Sequence, residues 1–490
     1  GRLYWNLGAV KARAKRLPGF VERDFDGDLG IHGRYEGDGV RTPSTVLGML
    51  KALPLVLRTQ REFRRQEKIA RRCIRTYSDF EARYRIDLRS MSDSELLRRY
   101  QQLITSDFVN TEAHYFRTLF SVSVSKGEFR RILRKVDPEE KQLSYAGLIS
   151  GLPPMDHFDP GIALWKSARA IMADPELTTQ FLRGQGTASK EINREVDSFI
   201  QRFYYHSRRE LDLTVPRWEE DPDYVLQMLR DYVARADSVP EPSLRMAKQR
   251  IRYEREREIA NTICPRFSRG TFRRRLERLR RFIWLREQMR DCSTRMYYWV
   301  RKYCLEIARR ATERGRIDFK EDIFYLRWDE APLLLSSDAA LRSRIRRRRE
   351  DHALFKNFVP PTEIGLPLQL VERARPAVRA SGASWKGIGV SSGVAFGPCK
   401  VIKTLDEADS LQGGDILVCS YTDPSWTSVL ARVRAVIAET GGLLSHAAVI
   451  CRELGIPAAL NLPGATEFLT NGMQVRVDGC AGVVERVEGT

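Results

Sequence analysis

The sequence predicts an α+β protein in which a large helix-rich domain precedes a small β/β/α domain. Apolar residues recur at helical spacing from Pro43 to about Asp351, and residues 360–384 then lose that periodicity and gain Pro, Ala, Gly and Ser. Short apolar runs separated by turn residues follow, as in a compact strand-rich fold. We therefore expect a helical domain at 1–359, a linker at 360–384 and a β/β/α domain at 385–490.

Start and stop signals mark individual elements of the helical part. Ser92 with Glu95 three residues later predicts a capping box, and the stretch from Pro160 to Met172 predicts a helix. The longest predicted helix runs from Phe267 to about Arg314, and its apolar stripe predicts a face directed to the core. By contrast, the alternation in Phe319 to Trp328 predicts a strand.

The charge is distributed unevenly. The 490 residues carry a net charge of +19, yet from Trp385 onward there are 8 Lys and Arg against 11 Asp and Glu, so that +22 remains on residues 1–384. A basic body suits nucleic acid, a membrane surface or a phosphorylated ligand, and charge alone does not choose among them. The run from Arg344 to Arg349 has no aromatic neighbours and predicts a solvated helix face.

Composition also indicates the compartment. No apolar run approaches the length of a membrane span, and the residues from Gly1 to Arg16 are too polar for a signal peptide. The eight cysteines are scattered without a CxxC pair, which argues against a zinc site and against a disulfide framework. We expect a cytoplasmic protein that does not enter a membrane and has no metal site of its own.

The segment from Thr440 to Ala458, TGGLLSHAAVICRELGIPA, places His446 at the junction of a loop and a helix. Two glycines before it permit positive φ, Ser445 is the predicted N-cap, and Gly455 is the predicted end of the helix. A helix start has unpaired N–H groups and a partial positive charge, so a phosphoryl group on His446 would lie where anions are favoured. The alternative is a capped surface helix with an idle histidine.

This segment resembles the phosphohistidine swivelling domain shared by pyruvate phosphate dikinase, phosphoenolpyruvate synthase and rifampicin phosphotransferase. Their pattern is T-G-G-x-x-S-H-A-A-[IV]-x-x-R-E-x-G-[IV]-P-A, which the sequence matches. The resemblance implies that the catalytic phosphate carrier is His446. The residues expected to stabilise the phosphate are Thr440, Gly441, Gly442, Ser445 and Arg452.

A charged stretch in the helical part, YHSRRELDLTVPRWEEDP, begins at Tyr205. If it is extended, His206, Arg208, Glu210 and Asp212 point to the same face and form an anion clamp or an acid–base cluster. A salt-bridged surface turn is the alternative. The stretch resembles a recurrent part of the acceptor-binding domain in the same phosphotransferase group, which favours the first interpretation.

A second charged stretch, WLREQMR, ends at Arg290. On a helix Arg286 and Arg290 are one turn apart and can direct two guanidinium groups at one phosphate, although a solvent-facing charged face is the alternative. Rifampicin phosphotransferases have a similar R-E-x-x-K arrangement in the acceptor pocket, and here an arginine takes the place of the lysine. The residues expected to bind the acceptor are His206, Arg208, Glu210, Arg286 and Arg290.

The resemblance implies a relay. A phosphoryl group from ATP (its β-phosphate) is loaded onto His446 at an ATP-grasp domain, upstream or on another chain, and is delivered to a hydroxyl of a small-molecule acceptor on the helical domain. ATP and Mg²⁺ are expected at that partner domain, with neither bound tightly here. The glycines from Gly387 to Gly393 are only a weak phosphate-loop signal, and turn glycines explain them better.

Two departures from the dikinase pattern bear on the activity. Leu444 stands where dikinases have a regulatory threonine, so that regulation is not expected. The TIM barrel that binds phosphoenolpyruvate does not follow the swivelling segment, and pyruvate and phosphoenolpyruvate are therefore not expected as acceptors. The alternative function is a non-catalytic basic scaffold or nucleic-acid-binding protein that retains a swivelling domain, although we do not expect nucleic acid as a partner.

Overall fold

The structure, a computed structural model, consists of a helical body (7–355) and a sheet module (384–487), which confirms the α+β class. The expected linker lies outside the described residues apart from Ser384. The structure describes residues 7–15, 20–23, 39–40, 42, 45–138, 142–155, 159–184, 189–234, 241–336, 341–355, 384–422, 426–430, 432–443 and 445–487.

The described helices of the body include the predicted ones at Pro160 to Met172 and at Phe267 to about Arg314. They are α1 Leu7–Ala14, α2 Val46–Arg75, α3 Tyr77–Tyr84, α4 Asp93–Gln102, α5 Val109–Val136, α6 Tyr145–Leu148, α7 Asp159–Met172, α8 Pro175–Leu182, α9 Lys190–Phe203, α10 Pro222–Ala234, α11 Pro242–Ile263, α12 Arg266–Glu313, α13 Leu333–Ser336 and α14 Leu341–Phe355. A π-helix at Leu103–Phe108 joins α4 to α5. Ser92 caps α4 by accepting the N–H of Glu95 at 3.3 Å, which is one half of the predicted capping box, whereas the Glu95 carboxylate pairs with Arg98 and Arg99.

The helix α12 is the axis of the body. It has 48 residues and agrees with the predicted helix within a residue at each end. Its polar contacts with α5 place Glu128 beside Arg278 and Glu112 beside Ser293, so that the two helices run antiparallel. On another side of α12, Phe63 of α2 packs on Phe282 with ring centroids 5.5 Å apart. The apolar stripe of α12 is therefore core, as its spacing predicts.

The strand predicted at Phe319 to Trp328 is wrong, because this segment forms a 3₁₀ helix at Lys320–Tyr325. The carboxylate of Asp322 accepts the backbone N–H of Phe319, which closes a turn that a strand would not contain. Only one of the alternating apolar residues, Ile323, is fully buried by this turn. Local side-chain capping outweighed the alternating pattern.

The arginine run in α14 is helical and largely exposed, as predicted, but part of it is ion-paired to the body. Arg344 and Arg348 both bind the carboxylate of Glu330, and Arg349 binds Asp322. These contacts lower the pKa of Glu330 to about 2, chiefly through its hydrogen bond from Arg348. The run therefore attaches α14 to the preceding turn.

The sheet module is a mixed sheet with strand order β1-β8-β7-β3-β4-β5-β6-β2. Strands β3 to β6 are parallel neighbours, whereas β1, β8, β7 and β2 pair antiparallel. Its elements are β1 Ser384–Lys386, β2 Ile388–Ser391, β3 Val394–Val401, β4 Ile416–Cys419, α15 Thr427–Leu430, β5 Ala435–Ala438, α16 His446–Leu454, β6 Ala458–Leu460, α17 Ala465–Phe468, β7 Gln474–Asp478 and β8 Val483–Arg486.

The module packs onto the body through α16 and α15. One apolar cluster is continuous across the boundary, with Met246 and Met289 on the body side and Ala447 and Ile450 on the module side. Nearby, Arg432 donates to Asp231 at 3.1 Å between largely buried side chains. This packing places the start of α16 against α12. No helix in the described ranges is long and apolar enough to cross a membrane.

Candidate active site

His446 is the first residue of α16, at the junction predicted from the sequence. Ser445 is the N-cap with φ −65° and ψ 162°, and its hydroxyl accepts the N–H of Ala448 at 3.3 Å. The helix ends at Gly455, whose φ of 62° is the left-handed conformation expected of a C-terminal glycine. The predicted start and end of this helix are therefore confirmed, and the imidazole lies at the positive end of the helix dipole.

The loop before His446 requires glycine. Gly441 has φ +123°, and a Cβ there would lie 3.1 Å from Leu460 Cδ1 and 3.2 Å from Ser445 Oγ. The carbonyl of Gly442 accepts the N–H of Ser445 at 2.9 Å and so orients the N-cap. The hydroxyl of Thr440 donates to the carbonyl of Ser420 at 3.0 Å, so its hydrogen is already used within the loop.

The structure corrects the role expected of Arg452. Its side chain is buried, and its Nη1 donates to the carbonyls of Leu443 at 2.7 Å and Val390 at 3.1 Å. Burial lowers the pKa of the Arg452 guanidinium to about 10. A direct contact with phosphate on His446 is not what this geometry provides. Arg452 instead holds the loop that carries His446, and two backbone carbonyls take the place of the water that would otherwise solvate its guanidinium.

A carboxylate of the helical body faces His446. Oε2 of Glu287, on α12, lies 3.8 Å from His446 Nδ1, with side chains 3% and 13% exposed respectively. The other oxygen, Oε1, accepts from Arg286 Nε at 2.7 Å. Sequence reasoning did not propose Glu287 as a site residue. The arrangement sets an imidazole beside a buried carboxylate that one arginine partly neutralises.

The prediction that the two arginines of WLREQMR direct their guanidinium groups at one phosphate is wrong. Arg286 is buried and pairs with the adjacent Glu287, whereas Arg290 lies 3.9 Å from Glu210 Oε2. The helical spacing was right, but each guanidinium meets a different carboxylate. Spacing fixes which residues share a face and does not fix which partner a long side chain selects.

His206 and Glu210 form a buried pair on the far side of Arg290. His206 Nδ1 lies 2.6 Å from Glu210 Oε1, and Thr294 donates to Glu210 Oε2 at 2.9 Å. Burial by itself would raise the pKa of Glu210. The hydrogen bond with His206, the charge of His206 and the charge of Arg290 outweigh burial and lower this pKa to about 2. The carboxylate is therefore ionised throughout the physiological range and anchors α12 to the 205–222 segment.

This segment is not extended, so the expectation of one shared face is wrong. An isolated bridge pairs Ser207 with Arg217, and turns follow His206, which brings Glu210 back to it across four residues. The ring of His206 packs between Tyr205 at 4.3 Å and Trp218 at 4.9 Å. Its Nε2 is buried with no hydrogen-bond partner among the described residues. His206 thus orients Glu210 and does not face open space.

Arg208 belongs to a different place. It donates to Asp221 at 3.2 Å and stacks over the ring of Tyr224 at 4.3 Å. Arg208, Asp221 and Tyr224 line a cavity of about 240 Å³ between α10 and the sheet module, and Arg432 of the module lines it as well. Neither His446 nor a residue of α12 lines that cavity, so Arg208 is separated from the other residues expected to bind the acceptor.

Further buried polar groups surround Arg290. Its guanidinium lies 6.0 Å from the ring centre of Tyr115, and Glu112 of α5 accepts from Ser293. Burial raises the pKa of Glu112, although Ser293 and the charge of Arg290 oppose the shift. Across the described ranges, no group of three His, Cys, Asp or Glu side chains is placed to hold a metal ion.

A signal for the missed residues was present in the sequence. Buried polar residues of α12 are most concentrated over about two and a half turns, in the run Arg286, Glu287, Gln288, Asp291, Ser293 and Thr294, while Arg301, Glu306 and Arg310 are buried singly further along. Such groups are rarely buried in a helix core without a partner. A polar run at core positions of a long apolar stripe therefore indicates a site, where spacing of arginines alone does not.

Two family models match separate parts of the chain. Residues 114–287 match the family model of the rifampicin phosphotransferase fourth domain, and residues 411–482 match that of the PEP-utilising enzyme mobile domain. The first match ends at Glu287, and the second contains His446. The two residues that face each other therefore lie in two separate matched regions.

Similar curated proteins are longer than this chain. Rifampicin phosphotransferase of Bacillus subtilis is 28% identical over 293 residues, covering 59% of this chain and 34% of the relative. That of Streptomyces sviceus is 28% identical over 342 residues, covering 66% and 39%. The uncharacterized protein Rv2047c of Mycobacterium tuberculosis is 36% identical over 203 residues, covering 41% and 23%. The chain is therefore similar to rifampicin phosphotransferase-like PEP-utilising proteins over both matched regions, and it spans well under half the length of these relatives.

Proposed function

We propose that this chain is the acceptor-binding and phosphohistidine part of a phosphotransferase in which His446 carries the phosphoryl group. One observation carries the proposal: His446 is the first residue of α16, behind a glycine loop, and its ring faces Glu287 of the helical body at 3.8 Å. A helix start favours an anion, and a neutral imidazole is nucleophilic near pH 7. Both properties are needed in a residue that accepts and then releases phosphorus.

Loading forms a bond between nitrogen and phosphorus. A ring nitrogen of His446 attacks the β-phosphorus of ATP, the N–P bond forms, and the bond from that phosphorus to the oxygen of the departing AMP breaks. Water then takes the γ-phosphoryl group as inorganic phosphate, which leaves one phosphoryl group on the ring. Loading takes place at the donor domain with the module away from the body, so the groups of α12 act only in delivery.

Delivery reverses this bond change. The oxygen of an acceptor hydroxyl attacks the phosphorus, the O–P bond forms, the N–P bond breaks, and the hydroxyl proton goes to a base. Glu287 is suited to be that base, because it is buried beside the ring and Arg286 orients it through the other carboxylate oxygen. Alignment of the two reacting groups supplies much of the catalysis.

The charge balance beside His446 supports transfer to a bound acceptor. A phosphoryl group next to Glu287 alone would be repelled, but Arg286 offsets that carboxylate and Arg290 lies one turn further along α12. The buried pair of His206 and Glu210 holds this turn in place. We assign Arg290 and its surroundings to the acceptor side, and His206 and Glu210 to positioning it.

The source of phosphate and the acceptor class are parts of the same proposal. Two of the similar proteins are named rifampicin phosphotransferases, which supports a small-molecule hydroxyl as the acceptor. The family resemblance supports ATP with Mg²⁺ at an ATP-grasp domain as the donor. The basic helical body, with most of the positive charge, is consistent with an acidic phosphorylated product or partner.

Labelled ATP tests the proposal. We expect the chain, supplied with an ATP-grasp domain and ATP labelled at the β-phosphate, to take up label that His446→Ala abolishes. The matched control is His352→Ala, at an exposed position of α14, which should label normally. Labelling that survives His446→Ala would refute the proposal.

A further inference from the structure

Two of the contacts between the sheet module and the helical body involve α16 and α12, and they are the same number of residues apart on each helix. His446 and Glu453 are seven residues apart on α16, and Glu287 and Arg280 are seven residues apart on α12. Seven residues make two helical turns, about 10 Å. His446 faces Glu287, and Glu453 contacts a turn that Arg280 holds, so α16 lies antiparallel to this part of α12. The two contacts are therefore made in the same antiparallel arrangement of the helices.

The turn that contacts Glu453 is rigid. Arg280 donates to the carbonyl of Leu148 at 3.0 Å and to that of Gly151 at 2.8 Å. Gly151 has φ +60°, and a Cβ there would lie 2.7 Å from the Cα of Arg250 on α11. The next N–H, that of Leu152, donates to Glu453 Oε2 at 2.9 Å across the boundary between module and body.

Glu453 is an unusual group for such a contact. It is 1% exposed, and its Oε1 has no hydrogen-bond partner among the described residues. The charged groups around it are Arg452 on its own helix, Arg250 on α11 and Arg280 on α12. Burial raises the pKa of Glu453 to about 7 even though the N–H of Leu152 and these three arginines oppose the shift.

We propose that Glu453 is a positioning residue whose protonation seats the sheet module on the helical body, with His446 opposite Glu287, and whose ionisation favours release of the module. This inference rests on the proposed function, in which the module must also reach a donor of phosphate. A buried carboxyl without a charge costs little to keep at the interface, whereas a carboxylate regains solvation when the module leaves.

The direction of the pH dependence follows from the two states. In the released module Glu453 loses the burial that the body supplies, and its pKa returns toward its ordinary value of 4.5. The seated state then binds the proton more tightly. The equilibrium between the released and the seated module therefore favours the seated state most below pH 4.5. It favours that state less as the pH rises from 4.5 to 7, and it does not change further above pH 7. The seating constant should fall by about two orders of magnitude across this range.

Energy transfer between two dyes measures seating without any need for catalysis. One dye is placed on Cys480, an exposed cysteine of the module, and the other on Leu244→Cys in α11, where the leucine is 59% exposed. Cys73, which is partly accessible, is replaced by Ala. We expect the efficiency to fall between pH 4.5 and 7, and Glu453→Gln to remove this change because an amide does not ionise.

The matched control is Glu256→Gln. Glu256 is a half-buried carboxylate that accepts the N–H of Ser144 at 3.0 Å within the body, and burial raises its pKa too. This variant should keep the wild-type pH profile. A wild-type efficiency that is flat over this range would overturn the inference, as would an unchanged slope in Glu453→Gln. Should Glu453→Gln fold poorly, the wild-type profile still decides.

The test also separates this inference from the proposed function. His446→Ala removes phosphoryl transfer but leaves Glu453 and Leu152 in contact, so its dye profile should match that of the wild type. A protein that seats in a pH-dependent way yet takes up no label on His446 would refute the phosphotransfer function and leave the role of Glu453 in seating intact.

Discussion

The two sides of the site are built differently. On the module side, the loop from Thr440, the N-cap and α16 belong to one segment of 16 residues ending at Gly455, in which Gly441, Ser445 and Gly455 have local backbone roles. On the body side, Glu112, Glu210 and Glu287 come from α5, a turn and α12, far apart in the chain. The module side is one local motif, whereas the body side exists only after the helices have packed.

This difference separates two tasks. A local motif presents the same nucleophile wherever its domain is seated, which suits a carrier that visits more than one site. An assembled pocket of buried charges depends on every surrounding element, which suits recognition of one acceptor. Changes on the module side should therefore alter the chemistry, and changes on the body side should alter stability or the acceptor.

The largest effect is expected from Glu210→Ala. Removing this carboxylate takes away the buried partner of His206 and Thr294 and the negative charge beside Arg290, which costs about 3–5 kcal/mol in the free energy of unfolding. Chemical denaturation measures this loss, and Glu277→Ala, an exposed position on α12, should change little. A loss below 1 kcal/mol would show that the pair does not anchor the body side.

The same carboxylate gives a pH dependence with a definite sign. Its pKa is about 2 in the folded protein against an ordinary value of 4.5, so its contribution is full above pH 4.5 and is lost as the pH falls toward 2. The stability difference between wild type and Glu210→Gln should shrink over that interval. A difference that stays constant from pH 5 to pH 2 would contradict the assignment.

Glu287→Gln is expected to slow transfer from phosphorylated His446 to the acceptor by about 10²–10⁴-fold, the usual contribution of a general base. The amide keeps the shape beside the ring and the contact with Arg286 but accepts no proton. Single-turnover transfer measures the effect, with Glu277→Gln on the same helix as the control. An unchanged rate would place the base elsewhere.

Gly441→Ala tests the local side. The substitution forces a non-glycine residue to φ +123° and sets its Cβ against Ser445, a strain of about 1–3 kcal/mol. We expect slower phosphorylation of His446 by about tenfold or more, with little change in acceptor binding. The control is Gly127→Ala in α5, where a Cβ would meet nothing within 4 Å. Equal effects of both substitutions would mean that the loop has no special role.

The smallest effects should distinguish the two arginines. Arg290→Lys should weaken binding of the acceptor, because the guanidinium lies in the polar cluster with Glu210 and Tyr115. Arg286→Lys should mainly change the rate, because Arg286 orients Glu287. Comparison of KM and kcat for both variants measures this difference, which we expect to be about tenfold in each case. The same pattern in both variants would favour the predicted clamp on one phosphate.

The sequence predicted the parts of the structure that depend on neighbours in the chain. The cap at Ser445, the stop at Gly455 and the extent of α12 follow from residue types at fixed offsets. The prediction that the segment after Tyr205 is extended is wrong, because a buried His206–Glu210 contact closes a turn that the charge pattern does not show.

The sequence could not predict which groups the side chains of the site contact. The sequence predicts Arg286, Arg290 and Arg452 as site residues. Each guanidinium, however, contacts a group whose position depends on how the chain packs. The facing position of Glu287 depends on how the sheet module sits on α12, which is a long-range property. The polar interruption of the α12 stripe could have indicated the place, although not the partner.

Locating the phosphoryl group in the labelled protein tests the central claim most directly. The account predicts an acid-labile N–P bond, mapped by mass spectrometry to His446 in the peptide that contains Ser445 and Thr440. An acid-stable phosphate on either of those hydroxyls, or label on another histidine, would contradict it.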